Sequence, residues 1–328
     1  MTSYAVVIPT LVRDTLADCL AALAAAIGPA PAEIVLVDDR AGAVPGPLEH
    51  PLSVLGDLRD RTTVVSGGGH GPAAARNSGL RRVTSPWVVF LDDDVQVGPH
   101  WCEQVAADLD EASPDTAGVQ GVISVPLPSE RRPTHWERST AGLARARWST
   151  ADMAYRTDVL KQVGGFDERF RYAHREDTDL ALRVLDAGWR VRRGGRSTWH
   201  PVRPTGRWVS VRAQRGNADD ALMLRLHGAG WRAGAAVPRG RVRRHLAITA
   251  AGAAACVFAV GGRRVAAAVA AVGWAVGTAE FAWSRIAPGP RTWYEVTTVL
   301  GSSVVIPPVA TGYWLSGLVR HREVEAWR

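Results

Sequence analysis

Short apolar runs alternate with helix-length stretches through the first part of the chain. Ala5 to Ile8, Glu33 to Val37, Thr63 to Val65 and Trp87 to Leu91 read as strands, and Thr15 to Ala26 and Pro72 to about Arg82 as helices. Strands that are apolar on both faces and separated by helices predict a mainly parallel sheet covered on two sides. A Gly/Pro-rich loop runs from Ala41 to Pro47. Further on, Leu180, Ala181, Val184 and Leu185 form the buried stripe of a helix over Asp177 to Ala187, and Gly188 supplies its C-cap. Ligands of such sheets sit at the carboxyl ends of the strands. Three of those ends carry polar groups: Pro9-Thr10, Asp38-Asp39 and Asp92-Asp93-Asp94.

The pattern changes towards the C-terminus. Leu246 to Gly262 is 17 residues without a charge, Val265 to Ala279 is 15 and Val296 to Val319 is 24. Only the last is long enough by itself to cross a hydrocarbon layer of roughly 30 Å. The first two flank Gly-Gly-Arg-Arg264 and predict a helical hairpin. Trp274, Trp283, Trp293 and Trp314 near segment ends, together with flanking arginines, favour membrane association over a soluble helical subdomain or an oligomer interface.

The 328 residues, 46% of them hydrophobic, exceed one minimal domain and exclude disordered, collagenous and disulfide-stapled classes. A net charge of +7 says little in a chain with a single lysine, Lys161, because the arginine excess runs throughout. Its distribution says more. The net charge is −8 over residues 1 to 189, +12 over 190 to 244 and +3 over 245 to 328. An acidic first part is a poor surface for nucleic acid, whereas the basic band suits an anionic membrane face or a phosphate-bearing ligand. Cys19, Cys102 and Cys256 are odd in number and far apart, which implies neither disulfides nor a zinc site and fits a reducing compartment. The N-terminus lacks a basic leader and an apolar core before a cleavage signature, so Tyr4 to Pro9 reads as a first strand. These divisions predict an α/β domain over 1–205, a basic connecting segment over 206–244 and an apolar helical region over 245–328.

Asp92-Asp93-Asp94 follows an apolar strand directly, so at least two carboxylates share one small cleft. Unit charges about 4 Å apart at an effective dielectric of ~20 repel by roughly 4 kcal/mol, a cost that a divalent cation removes. Hard oxygen donors favour magnesium, manganese or calcium; the alternative is a solvated acidic turn. Ser66-Gly-Gly-Gly-His-Gly71 fits neither G-x-G-x-x-G nor a P-loop, and is either a structural turn or a loop that offers N–H groups to a phosphate. Glu176-Asp177-Thr-Asp179 opens a helix, where the dipole favours anions and lowers a carboxyl pKa, while crowding among the acids raises it. His200 is a candidate ligand only if the fold brings it to the acidic triplet.

Together these positions resemble the family-2 glycosyltransferases of the GT-A fold over about residues 4 to 203. The resemblance is carried by Val6-Val-Ile-Pro-Thr10, Gly71-Pro-Ala-Ala-Ala-Arg-Asn-Ser-Gly79, Val88-Val-Phe-Leu-Asp-Asp-Asp94, and Gly164-Gly-Phe-Asp-Glu-Arg-Phe170 with Glu176-Asp177. It implies an α/β, Rossmann-like GT-A domain ahead of the C-terminal apolar helical region. It further implies that Thr10, Arg13, Asp39, Arg76, Asp92 and Asp93 bind a nucleotide-diphosphate sugar, with Asp39 near the base or ribose. Asp92, Asp94 and His200 are the expected ligands of manganese or magnesium, and Asp177 is the expected catalytic base. Asp152 and Glu176 are assigned to the acceptor side. The expected reaction is transfer of one sugar, with inversion, to an acceptor hydroxyl on the cytoplasmic side of the cell membrane. Gln214-Arg-Gly-Asn217 departs from the Q-x-x-R-W element of processive synthases, which points to single addition. The rival readings are a sugar-phosphate nucleotidyltransferase, disfavoured because Pro9-Thr10-Leu11-Val12 lacks a basic glycine-rich loop, and a noncatalytic membrane scaffold.

Overall fold

A computed structural model describes residues 2–42 and 48–327, so most of the predicted Ala41 to Pro47 loop lies outside the described residues. In chain order the elements are β1 (Tyr4–Thr10), α1 (Thr15–Ala25), β2 (Glu33–Asp38), α2 (Glu49–Ser53), β3 (Thr62–Ser66), α3 (Pro72–Leu80), β4 (Trp87–Leu91), β5 (Gln96–Val97) and α4 (Trp101–Asp110). They continue with β6 (Thr116–Ser124), α5 (His135–Thr140), β7 (Asp152–Arg156), α6 (Thr157–Gln162), α7 (Glu176–Asp186) and β8 (Arg190–Trp199). The remainder is helical: α8 (Val209–Arg212), α9 (Asn217–His227), α10 (Trp231–Gly234), α11 (Val242–Val260), α12 (Arg264–Ile286) and α13 (Trp293–Arg320).

The chain divides into two units, residues 1–126 with 141–202, and residues 127–140 with 203–328. The basic stretch expected as a separate connector is therefore part of the helical unit, because α9 and its neighbouring turns pack on α13. That unit also takes in residues 127–140, part of the segment between β6 and β7.

The first unit is an eight-stranded sheet in the order β3-β2-β1-β4-β7-β6-β8-β5. From β3 to β4 the pairing is all parallel, as the apolar runs predict. Beyond β4 the sheet is mixed, since β7 runs antiparallel to both β4 and β6 while β8 is parallel to β6. Alternation along β1 sorts its side chains between two cores. Val6 and Ile8 pack with Leu16 and Leu20 of α1, and Ala5 and Val7 pack with Ala75 and Leu80 of α3. Each fully buried Val, Leu or Ile contributes roughly 1.5–3 kcal/mol, so the sheet holds the strand ends rigidly. Gly188 caps α7 at φ +87°, its N–H donating to the Leu185 carbonyl at 2.9 Å.

The second unit has an inverted pattern of burial. The buried stripe of α13 contains Glu295, Ser302, Ser303 and Thr311, while Trp293, Tyr294, Leu300, Val304, Leu315 and Val319 are exposed. Helices α11 and α12 form the predicted hairpin, with Arg244 and Glu280 paired at 2.6 Å near its base. Val257, Val260, Val265, Val269, Val272 and Val276 lie open beyond that pair. By length and composition, α12 and α13 are each long and apolar enough to cross a membrane.

Candidate active site

The carboxyl ends of β1, β2 and β4, the start of α7 and the end of β8 bring the candidate residues of the first unit together in two connected groups. One is a set of possible metal donors. Single ligand atoms of Asp92, Asp94 and His200 lie within 4.8 Å of one another, and Asp94 and His200 are buried. His200 Nε2 is 3.6 Å from Asp94 Oδ1, and its Nδ1 is 3.2 Å from the Pro201 carbonyl oxygen. A carbonyl can only accept, so Nδ1 is the donor there, and Nε2 is the ring nitrogen that faces the aspartates. Two carboxylates and a correctly oriented imidazole fit manganese or magnesium. The antiparallel pairing of β5 with β8, Gln96 beside Trp199 and Val97 beside Thr198, brings His200 to the triplet that spacing alone leaves far from it, and the His200 N–H fixes the end of β8 on the Ser124 carbonyl of β6 at 2.8 Å.

The second group is centred on Arg76, which is 2% exposed. Its Nη2 donates to Asp92 Oδ1 and its Nη1 to Glu176 Oε1, both at 2.8 Å. The guanidinium is thus a brace between the metal-side carboxylate and the first turn of α7, not an open contact for a nucleotide. Glu176 is 3% exposed, with its other oxygen buried and without a partner among the described residues. It is enclosed rather than presented to an acceptor. Burial and the neighbouring Asp177 charge push its carboxyl up to about 7, against the opposing pull of Arg76. Asp177 is half-buried and accepts the Thr178 N–H at 2.6 Å. Desolvation raises its pKa despite Arg76 and that N–H, so burial outweighs the helix terminus. Arg175, immediately before the pair, is held at φ +76°, a left-handed conformation unusual for arginine.

Several expected donor contacts serve other purposes. Thr10 Oγ1 and Arg13 Nη1 donate to the two oxygens of Asp93 at 2.7 and 2.8 Å. Thr10 and Asp93 are both 3% exposed and pin the end of β1 to the triplet; of the three, Arg13 keeps an exposed face, with 40% of its side chain open. Asp39 accepts the backbone N–H groups of Gly69, His70 and Gly71 at 3.0, 3.1 and 3.0 Å. Those amides are consumed inside the protein, so the glycine loop shapes the end of β2 and does not offer them to a phosphate. Gly71 is required there: it has φ +98°, and a Cβ would collide with the Arg171 carbonyl oxygen.

Asp152, expected on the acceptor side, lies instead inside a buried ion cluster. It has no exposed surface, and Arg196 Nε donates to its Oδ1 at 2.6 Å while Trp101 Nε1 and Thr198 Oγ1 donate to Oδ2. Arg196 is equally buried and also reaches Asp108 Oδ2 at 2.9 Å and the Val119 carbonyl at 2.6 Å. Both carboxylates of this cluster are fully occupied. Arg196 lay in a polar run ending at Trp199, and nothing in its spacing marked it as the centre of a buried ion cluster.

The profile of glycosyl transferase family 2 matches residues 5–177. Over 135 residues the chain is 33% identical to the pre-mycofactocin glycosyltransferase of Mycobacterium tuberculosis, in strains CDC 1551 / Oshkosh and H37Rv. That match takes in 37% of this chain and 28% of the relative, little more than a quarter of the relative's length. The mannosyltransferase PcManGT of Pyrobaculum calidifontis, solved with GDP-Man and Mn2+, superposes with a TM-score of 0.57 at 18% identity, covering 94% of this chain and 86% of that one. It shares the fold. With a match over more than half its length to one family, at the residues that build the acidic cluster and the α7 start, the chain belongs to glycosyl transferase family 2.

Proposed function

We propose that the protein transfers one sugar from a nucleotide-diphosphate donor to an acceptor hydroxyl, with inversion, in a cation-dependent and non-processive step of cell-envelope or glycoconjugate synthesis. The observation that carries this reading is the convergence of Asp92, Asp94 and His200, tied through Arg76 to the helix that bears Asp177. Asp92, Asp94 and His200 would hold manganese or magnesium, which when bound supplies neutralising charge for the donor diphosphate and the departing nucleotide. GDP-Man and Mn2+ in the solved mannosyltransferase are ligands of those classes.

The protein's own part is positioning and proton transfer. Burial raises Asp177 towards the working pH, and its carboxylate takes the proton of the acceptor hydroxyl as that oxygen attacks the anomeric carbon. Arg76 stays charged and fixes Asp92 relative to the first turn of α7. Arg13, braced on Asp93, offers its exposed side to the donor. The inverted burial of the helical unit and the arginines ahead of α11 support a bilayer-embedded C-terminal region with the catalytic unit on the cytoplasmic side.

The test is a nucleotide-sugar screen on the full-length protein with manganese, scored by release of nucleoside diphosphate. Asp177→Asn should retain donor affinity and lose turnover by about 10²–10⁴-fold, the range for a positioned general base. Near-normal turnover would remove Asp177 from that role, and release of pyrophosphate would assign nucleotidyl transfer instead.

A further inference from the structure

Three arginines of the helical unit gather without a carboxylate partner. Arg285, 5% exposed, donates from Nε to His135 Nε2 at 3.1 Å and from Nη1 to Ser303 Oγ and Ser302 Oγ at 2.7 and 3.0 Å. Arg138 Nη2 donates to the Arg285 carbonyl oxygen at 2.6 Å. Arg241 and Arg285 both lie against the Phe281 ring, their guanidinium carbons 5.5 and 5.2 Å from its centroid. His245 meets the same ring edge-on at 4.9 Å.

Every group that these guanidiniums contact is neutral. Among the described residues none of the three has a carboxylate oxygen within 4.0 Å, whereas Arg131 and Arg244 are paired with Glu137 and Glu280 at 2.7 and 2.6 Å. Glu295, the acid of this region, favours the charges of Arg138 and Arg285 from beyond ion-pair distance, while its Oε1 accepts the His135 backbone N–H. The surplus positive field registers on His135, whose imidazole is pushed down to about 3 by burial and then by Arg285, Arg138 and Arg241. Neutral contacts orient these charges, and the single carboxylate of Glu295, beyond ion-pair distance, does not balance three guanidiniums, so the cluster keeps a surplus of positive charge. The Nδ1 atoms of His135 and of His245, which is 6% exposed, are buried and without a partner among the described residues.

We propose that Arg138, Arg241 and Arg285 form a binding site for the phosphate of an anionic membrane lipid. An anionic phosphate supplies the missing net negative charge together with oxygens for forked guanidinium bonds; the phosphate of a zwitterionic lipid is already balanced by its own ammonium, and a neutral ligand brings no charge. Exposure rises from buried Arg285 through half-buried Arg138 to exposed Arg241, giving the anion a way in from the surface. The depth fits a lipid headgroup: Trp283, Trp293 and Tyr294, at 61%, 82% and 54% exposure, crowd the adjoining ends of α12 and α13. Aromatic side chains of this kind mark the headgroup level, and the open valines of the hairpin lie on the apolar side of it. The proposal rests on the bilayer reading of the helical unit.

The test uses the full-length protein with vesicles of phosphatidylcholine, alone or doped with phosphatidic acid, read by flotation and by thermal unfolding. Flotation with both vesicles is expected, with Tm raised further by phosphatidic acid. The Arg138→Gln/Arg241→Gln double variant should still float and lose that extra rise, with affinity for short-chain phosphatidic acid reduced on the order of tenfold or more. Arg243→Gln, at an exposed position in the first turn of α11, should keep both. Arg241→Gln alone, at the exposed entrance, serves if the double variant does not fold, and should lose most of the rise. Equal Tm in the two vesicles, or an Arg243→Gln loss as large as the double variant's, overturns the site while leaving the bilayer reading intact. Inorganic phosphate reproducing the shift without lipid overturns the lipid assignment. Failure to float with either vesicle overturns the bilayer reading itself.

Discussion

Replacing Arg196 by Met keeps most of the side-chain volume and removes the cation at the centre of the β6–β7–β8 half of the sheet. Asp152 then keeps the Trp101 and Thr198 donors and Asp108 keeps the Gly195 N–H at 2.7 Å, but two buried carboxylates face each other with no positive charge between them. Removing one partner of a buried ion pair costs about 3–5 kcal/mol. Because Arg196 serves two acids at 0% and 4% exposure, the upper part of that range is expected. Typical domains hold ~5–15 kcal/mol in total, so Arg196→Met should lose about a quarter or more of its stability. Asp152→Asn is the informative companion. It leaves one arginine paired with Asp108, and the amide oxygen still accepts from Trp101, so its cost should be about 1–3 kcal/mol. Because Asp152 touches no solvent, turnover in the donor assay should stay near the parent level for the folded fraction. The measurement is urea unfolding of the full chain followed by far-ultraviolet circular dichroism, alongside that assay. Arg196→Met costing under about 1 kcal/mol would refute the cluster reasoning, and Asp152→Asn losing turnover at unchanged stability would return Asp152 to the acceptor side.

Two further outcomes follow from the site. Glu176 has its carboxyl raised from 4.5 to about 7, so the native state binds its proton more tightly than the unfolded chain does. Its contribution is complete below about 4.5 and is lost as pH rises to about 7; Glu176→Gln should therefore flatten the decline of the urea midpoint across that window, and an unchanged slope would contradict the assignment. Gly71→Ala forces a Cβ against the Arg171 carbonyl at φ +98° and disturbs the three N–H donors on Asp39; a loss of about 1–3 kcal/mol with a raised donor KM is expected, and a neutral result in both would show the loop is not so constrained.

Local chemistry was enough to read much of this protein from its residues. Unbroken apolar runs specify β1, β2 and β4 because only a sheet buried on both faces tolerates them, and the Trp87 to Leu91 run matches β4 residue for residue. The acidic triplet, the Glu176-Asp177 pair and the α11–α12 hairpin were legible for the same reason: each is a short-range pattern with a single physical cause. What the tertiary structure decided is which partner each polar group meets. Arg76 and Glu176 are 100 positions apart, and Arg196 is 88 from Asp108 and 44 from Asp152. The ionic character of these side chains was visible, but whether a charge faces a ligand or a buried counter-charge depends on strand order and on the register of β8 beside β6. Spacing carries no information about those contacts, because the energy that selects them comes from desolvating both partners at once when the sheet closes.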